Sequence, residues 1–300
     1  MSSHRSSRRN VHFYDATKPD GDALGGLIQN GSVTEANFLR MLDILLIILA
    51  PISVRHRTSG NTVSITNNPL PIGTYDIFCE SKHVSTNSVA GAIQLNNEEW
   101  IHRINSFNVS GRSNAFRDGI RARDGRCVIS GVINLTAPDQ WTSFEAAHVF
   151  PLEAENLWLE RGFGRWIPDM DDTIGVSKIN SCQNGLMLRQ HIHALFDQYL
   201  ISVNPDDGYK VTVFNPDMDG MDGRILDPVC RNPADAHHVS DELLRWHFRQ
   251  SVLANMRGAG EPVFESDFPP GMDMIEEIRQ GPCAKERLEL EVAARLRELA

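Results

Sequence analysis

Residues 144–200 carry four side chains whose spacing limits what this 300-residue chain can fold into. His148 sits in FEAAHVF, Asn184 opens the later run N-G-L-M-L-R-Q-H-I-H, and His193 and Asp197 follow it. His193 and Asp197 are four apart, so on a helix they share a face and can grip one cation together. His148 has no such local partner, which suits a general base held apart from a metal. The Asn184 amide offers both donors and acceptors, enough to hold the loop around His148 through backbone hydrogen bonds. His191 points away from His193 on a helix, toward phosphate or solvent.

The run AAH at 146–148, the interval from Asn184 to His193, the ending H-A-L-F-D at 193–197 and RDGRCVISG at 123–131 together resemble the HNH endonucleases, the ββα-metal nucleases. Within that family they resemble the branch common in fungal proteins. The resemblance implies an α+β fold with a ββα-metal core, a divalent metal, and hydrolysis of phosphodiester bonds in DNA. It gives His148, Asn184 and His193 the catalytic roles, with the metal on His193 and Asp197. Two departures matter. Ala147 stands where relatives often carry an Asp or His ligand. The two Cys-x-x-Cys pairs that hold a structural zinc in many relatives are also missing: Cys127 is followed by Ser130, and Arg189 and Ile192 fill the second pair's places. A four-ligand structural zinc is therefore not expected. A metal with few protein ligands points to Mg²⁺, which keeps several waters and leans on substrate phosphate.

Net charge is −10 and the sequence pI about 5.5, which argues against a broadly basic nucleic-acid binder and leaves only a local patch for that role. The basic exception is 100–126, with six arginines against Asp118 and Asp124. Arg117, Arg121 and Arg123 are its candidate phosphate contacts. Between His148 and Asn184 lies a long insertion with Trp158, Trp166 and an acidic cluster; Trp166 is a candidate for stacking on substrate, while core packing is the commoner role of a tryptophan. The loop 215–223 invites a calcium reading but fails it, because Met221 and Asp222 occupy positions that need an oxygen ligand and a glycine. His237 and His238 read as loop residues.

The chain divides by pattern into an N-terminal α+β region (1–110, with a mobile basic tail at 1–10), an HNH-like core (111–230) and a C-terminal helical region (231–300). A helix is expected from Ser32 or Thr34 to Pro51, burying Phe38, Leu42, Leu45, Leu46 and Leu49. ISVRH and TVSIT flank a TSGN turn and read as a hairpin. Residues 80–92 and 269–271 read as loops. A second hairpin is expected around NPDDG, and Ser240 should cap an amphipathic helix. The last segment, 284–300, makes an apolar stripe that could dock on its own chain or join two copies. Five scattered cysteines, the absence of a secretory pattern at the start and the absence of a membrane-length apolar run point to an intracellular setting, cytoplasmic or nuclear, with no membrane partner. Two other classes stay open: a nuclease-like fold turned to a small-molecule substrate with His148 as acid/base, and a non-catalytic interaction module.

Overall fold

A computed structural model of the chain describes residues 3–18, 21–48, 50–79, 93–101, 114–168, 177–260, 262–263 and 273–280, with 284 and 288. The chain divides into two compact units, one of residues 1–100, 213–217 and 249–300, the other of residues 101–212 and 218–248.

The first unit is built on a four-stranded sheet. Strands β2 (Val11–Asp15), β3 (Gly25–Leu27), β5 (Ile52–His56) and β6 (Gly73–Cys79) lie in the order β3-β2-β6-β5. The central pair β2 and β6 is parallel, and both edges are antiparallel. Val11 and Phe13 of β2, with Tyr75 and Ile77 of β6, recur every second residue and are buried. Helix α1 (Glu35–Leu45) supplies Phe38, Met41, Leu42 and Leu45 to the same core. The Phe38 ring lies 5.9 Å from Phe13 and 5.3 Å from Tyr75. Thr34 caps the helix: its hydroxyl accepts from the Asn37 backbone N–H, while the Asn37 carboxamide accepts from Thr34 N–H.

Three expectations change here. The helix stops at Leu45, well before Pro51, because Leu46–Ile47 leaves it as strand β4 to pair with β7 (Gln94–Leu95). β-Branched Ile47 and Ile48 favour that exit. TVSIT does not become a strand. It meets β5 only through a bridge of Thr62 to Arg55 and a bond from Val63 N–H to Val54 O, since GTYDIFC takes the full antiparallel register with ISVRH. Tyr75 and Ile77 bury their side chains there, whereas Ile65 of TVSIT faces solvent. The start of the chain is docked: β1 (Ser3–His4) pairs with β12 (Pro262–Val263), and the buried Arg9 guanidinium donates to the carbonyls of Asn255 and Gly258.

The second unit holds helix α2 (Asn114–Asp124), the antiparallel pair β8 (Phe144–His148) and β9 (Gly185–Arg189), and helix α4 (Gln190–Asp197), which leaves β9 without a loop. This is the strand–strand–helix unit expected around the four residues. Its sequel is the hairpin of β10 (Ile201–Asn204) and β11 (Lys210–Val213), whose last residue falls in the first unit. The insertion after β8 forms helix α3 (Glu155–Arg161) and a 3-10 turn at Phe163–Trp166. Helix α5 (Asp241–Met256) is split between the units at Phe248 and Arg249. Helix α6 (Met274–Gln280) follows in the first unit. The expected loops at 80–92 and 269–271 lie outside the described residues, as does nearly all of the apolar C-terminal stripe. No helix among the described residues is long and apolar enough to cross a membrane.

Candidate functional site

Side chains alternate across β8, so Phe144, Ala146 and His148 take one face and Glu145 and Ala147 the other. The register sets His148 opposite Gly185, Ala146 opposite Met187 and Glu145 opposite Leu188. Helix α2 packs on the first face. Phe116, Ile120, Ala146, Cys182 and Met187 form one apolar cluster, with Trp141 and Phe144 against it. The Phe116 ring stacks on the His148 imidazole, centroids 3.9 Å apart and planes 7° from parallel. Gly185 permits this approach, since a Cβ there would stand 2.5 Å from the Phe116 ring. His148 is left 5% exposed.

His148 Nε2 lies 3.2 Å from Asn180 Oδ1. An amide oxygen only accepts, so Nε2 is the donor in this contact. Asn184 fixes the chain just beyond. Its Oδ1 accepts from Phe150 N–H at 2.8 Å, its Nδ2 donates to the carbonyls of Phe150 and Ile179, and its own carbonyl accepts from Val149 N–H. The side chain is fully buried, and each bond holds a backbone group that strand pairing has left behind. Asn184 thus sets where β8 ends, and with it where His148 points.

On the opposite face, α4 presents His193 to Glu145. Glu145 Oε2 lies 2.6 Å from His193 Nδ1, and Asp197 Oδ2 lies 3.1 Å from Nε2. Burial alone would lower the imidazole pKa, but Asp197 and then Glu145 outweigh it and raise the value to about 9. In this state the ring is an imidazolium between two carboxylates. The 3.1 Å contact of Nε2 with Asp197 is that of an imidazolium donating to a carboxylate. Among the described residues no group of three or more His, Cys, Asp or Glu side chains is placed to hold a metal ion. Ala147 is buried and supplies no donor.

The expected substrate contacts separate into two kinds. Arg117 and Arg121 lie one turn apart on α2; Arg117 is well exposed, and Arg121 stands over the Trp141 ring at 4.9 Å. Arg123 is a correction. Its side chain is 3% exposed, forms a two-point pair with Asp124, and donates to the carbonyls of Cys182, Gly185 and His237. Asp124 in turn accepts from Met187 N–H at 2.8 Å. The pair pins α2 to β9 and leaves no donor edge for a phosphate. His191 is exposed, 4.0 Å from Asp219. Trp166 is half-buried, stacked on Phe163 at 4.4 Å with the Arg165 guanidinium also against it. Trp158 is core: it is fully buried, packs on Phe150 and donates to Ser177 O. The acidic cluster at 169–172 lies outside the described residues. Cys127 is buried, and its sulfur accepts from Ser130 N–H where relatives place a second cysteine.

Sequence reasoning passed over Glu145, Asn180 and Phe116. Strand alternation carried a signal for the first, since Glu145 shares a face with Ala147, where a ligand is missing. The other two are joined to His148 only by tertiary packing.

Comparison with protein families matches residues 127–204 to a family described as HNH endonuclease. Residues 8–84 match a domain family of unknown function. Comparison with curated proteins and with solved structures finds no match. The HNH match covers both strands of the hairpin, the Asn184 turn and all of α4.

Proposed function

We propose that the chain is a divalent-metal-dependent endonuclease that hydrolyses phosphodiester bonds in DNA. The observation that carries this reading is the match of residues 127–204 to the HNH endonuclease family, whose stretch here holds His148, oriented by Asn180, and the His193–Asp197 pair on the opposite face of the same hairpin. His148 Nδ1 takes a proton from the attacking water. The water oxygen bonds to phosphorus, the bond from phosphorus to the leaving sugar oxygen breaks, and that oxygen is protonated from solvent. A divalent cation would be held by His193 and Asp197 and would supply charge stabilisation for the phosphate and the leaving oxygen. Asn184 and Asn180 hold His148 in orientation, while Arg117, Arg121, His191 and Trp166 are the candidate contacts to the substrate. The free thiols of Cys79, Cys127, Cys182 and Cys230 suit a reducing intracellular compartment, cytoplasmic or nuclear.

Incubation of purified protein with supercoiled DNA and Mg²⁺ or Mn²⁺ tests this. Cleavage should occur, stop with chelator and fall about 10²–10⁴-fold in His148→Ala, while that variant keeps its cation. His193→Ala should lose the cation instead and be partly restored by excess Mg²⁺. Full cleavage by His148→Ala, with contaminating nuclease excluded, would sink the assignment of the base. One observation favours a second reading, a small-molecule substrate: His148 lies beneath Phe116 and is nearly closed to solvent. In that case His148→Ala abolishes product formation and chelator leaves the wild type active.

A further inference from the structure

We infer that Arg189, with Arg121 beside it, holds the phosphodiester backbone of the nucleic-acid substrate: each guanidinium lies on an aromatic ring at the Phe144 end of the hairpin, and among the described residues no ion pair or hydrogen bond occupies that of Arg189. This rests on the nuclease reading above and adds to the substrate contacts an arginine that the sequence pattern does not mark.

Arg189 is the last residue of β9, and the register sets it opposite Phe144. Its guanidinium stands over the Phe144 ring, 5.5 Å from the centroid. Its Nε is buried and meets no hydrogen-bond partner. Arg123 shows what an arginine that fastens this unit looks like: Asp124 and three carbonyls take its donors. Arg189 fastens nothing of the kind. A cation held half-buried beside an apolar cluster with its donors free is poised for an anion from outside the chain.

Arg121 repeats the arrangement on α2. It lies over the Trp141 ring at 4.9 Å, and Trp141 Nε1 donates to Pro138 O, which fixes that ring. Trp141 and Phe144 bracket one turn, closed by Phe144 N–H donating to Trp141 O at 3.0 Å, and both rings pack on the same apolar cluster. The two ring-borne cations are therefore neighbours. Asp118 lies 3.2 Å from Arg117 and 3.8 Å from Arg121. Arg117, Arg121 and Arg189 against Asp118 leave the positive sign in excess. Burial and then the charge of Arg117 lower the pKa of Arg121, as expected of a cation short of counter-charge.

A guanidinium laid on a ring keeps its N–H edge free, and that fork matches two phosphate oxygens at once. The position selects a polymer. Phe144 and His148 share one face of β8 and stand four residues apart, about 13 Å along the strand. A nucleic-acid backbone with one phosphate at His148 carries another to Arg189 within about four base steps of duplex rise. A lone phosphate ester meets only one of the two.

Binding of a fluorescent duplex oligonucleotide to the full chain, followed by anisotropy through a salt series with chelator present, provides the test. Arg189→Gln should reduce the salt slope by about 0.9 and weaken binding about five- to tenfold at 0.1 M salt. Arg189→Lys keeps the charge and loses the fork, so it should keep the wild-type slope and bind more weakly than wild type. A role in folding alone would lower the melting temperature without separating these two variants. Wild-type protein gives a reading that needs no variant: modification of Arg189 by an arginine-directed dicarbonyl, read by mass spectrometry, should slow when duplex is bound. An unchanged slope in a folded Arg189→Gln, or modification at the same rate with and without duplex, overturns the inference and leaves the nuclease reading standing if the wild type cleaves DNA in Mg²⁺. Binding that depends on Arg189 in a wild type that never cuts DNA upholds the inference and overturns the nuclease reading. A wild-type chain that binds no DNA overturns both.

Discussion

On one face of the β8–β9 hairpin, Phe116, Ile120, Ala146 and Met187 close around His148; on the other, Glu145 and Asp197 hold His193 between them. The two histidines are equally buried, yet they are kept by different forces. His148 sits against the Phe116 ring with Nε2 on Asn180. His193 neutralises two carboxylates, and its removal leaves them facing each other. Burial by itself does not tell the two rings apart; what surrounds each ring does.

The largest effect should come from the pair that fastens the apolar face. Arg123→Ala leaves Asp124 charged, buried and stripped of its partner, and should cost about 3–5 kcal/mol in urea or thermal unfolding. A cost no larger than that of an ordinary surface arginine would mean that α2 is held by packing alone. Next comes a direct comparison of the faces. His193→Leu should destabilise by about 1–3 kcal/mol, toward the lower end because Glu145 and Asp197 keep some access to water. His148→Leu should stay within about 1 kcal/mol of wild type, since it trades one apolar surface for another. Equal destabilisation in the two variants would dissolve the distinction between the faces. A smaller change, Phe116→Leu, should cost about 1 kcal/mol and speed chemical modification of His148 by a histidine-directed reagent. If modification is no faster, Phe116 does not shield the base. Smallest in stability is the joint Arg117→Ala and Arg121→Ala variant. It should leave the melting temperature almost unchanged and reduce the salt slope of DNA binding by about 0.9 for each phosphate no longer neutralised. An unchanged slope would move the DNA-binding surface elsewhere.

The parts legible in the sequence were those in which one short stretch does the whole job. Thr34 and Asn37 form their capping box within four residues, and His193 and Asp197 meet because a helix turn brings them together. Asn184 was legible because a buried carboxamide beside a strand end must find backbone partners. Arg123 was not legible: its charge reads as a phosphate ligand, and only the packing of α2 on β9 shows three carbonyls and Asp124 taking its donors. TVSIT had the alternation of a strand but yielded its place to GTYDIFC, whose Tyr75 and Ile77 had a core to enter. The basic start of the chain has the composition of a loose tail, and its docking depends on carbonyls some 250 positions away in sequence. Local pattern reports what a segment can do alone; competition between segments appears only when the chain is closed.

That last separation bears on synthesis. Chains emerge from the ribosome N-terminus first, and domains generally fold as units. Here the hairpin unit spans 101–248, inside the first unit's sequence, while Arg9 and β1 find their partners at Asn255, Gly258 and Pro262–Val263. Residues 3–9 therefore gain these partners only after residues 255–263 have been made, and the whole histidine-bearing unit is translated in between.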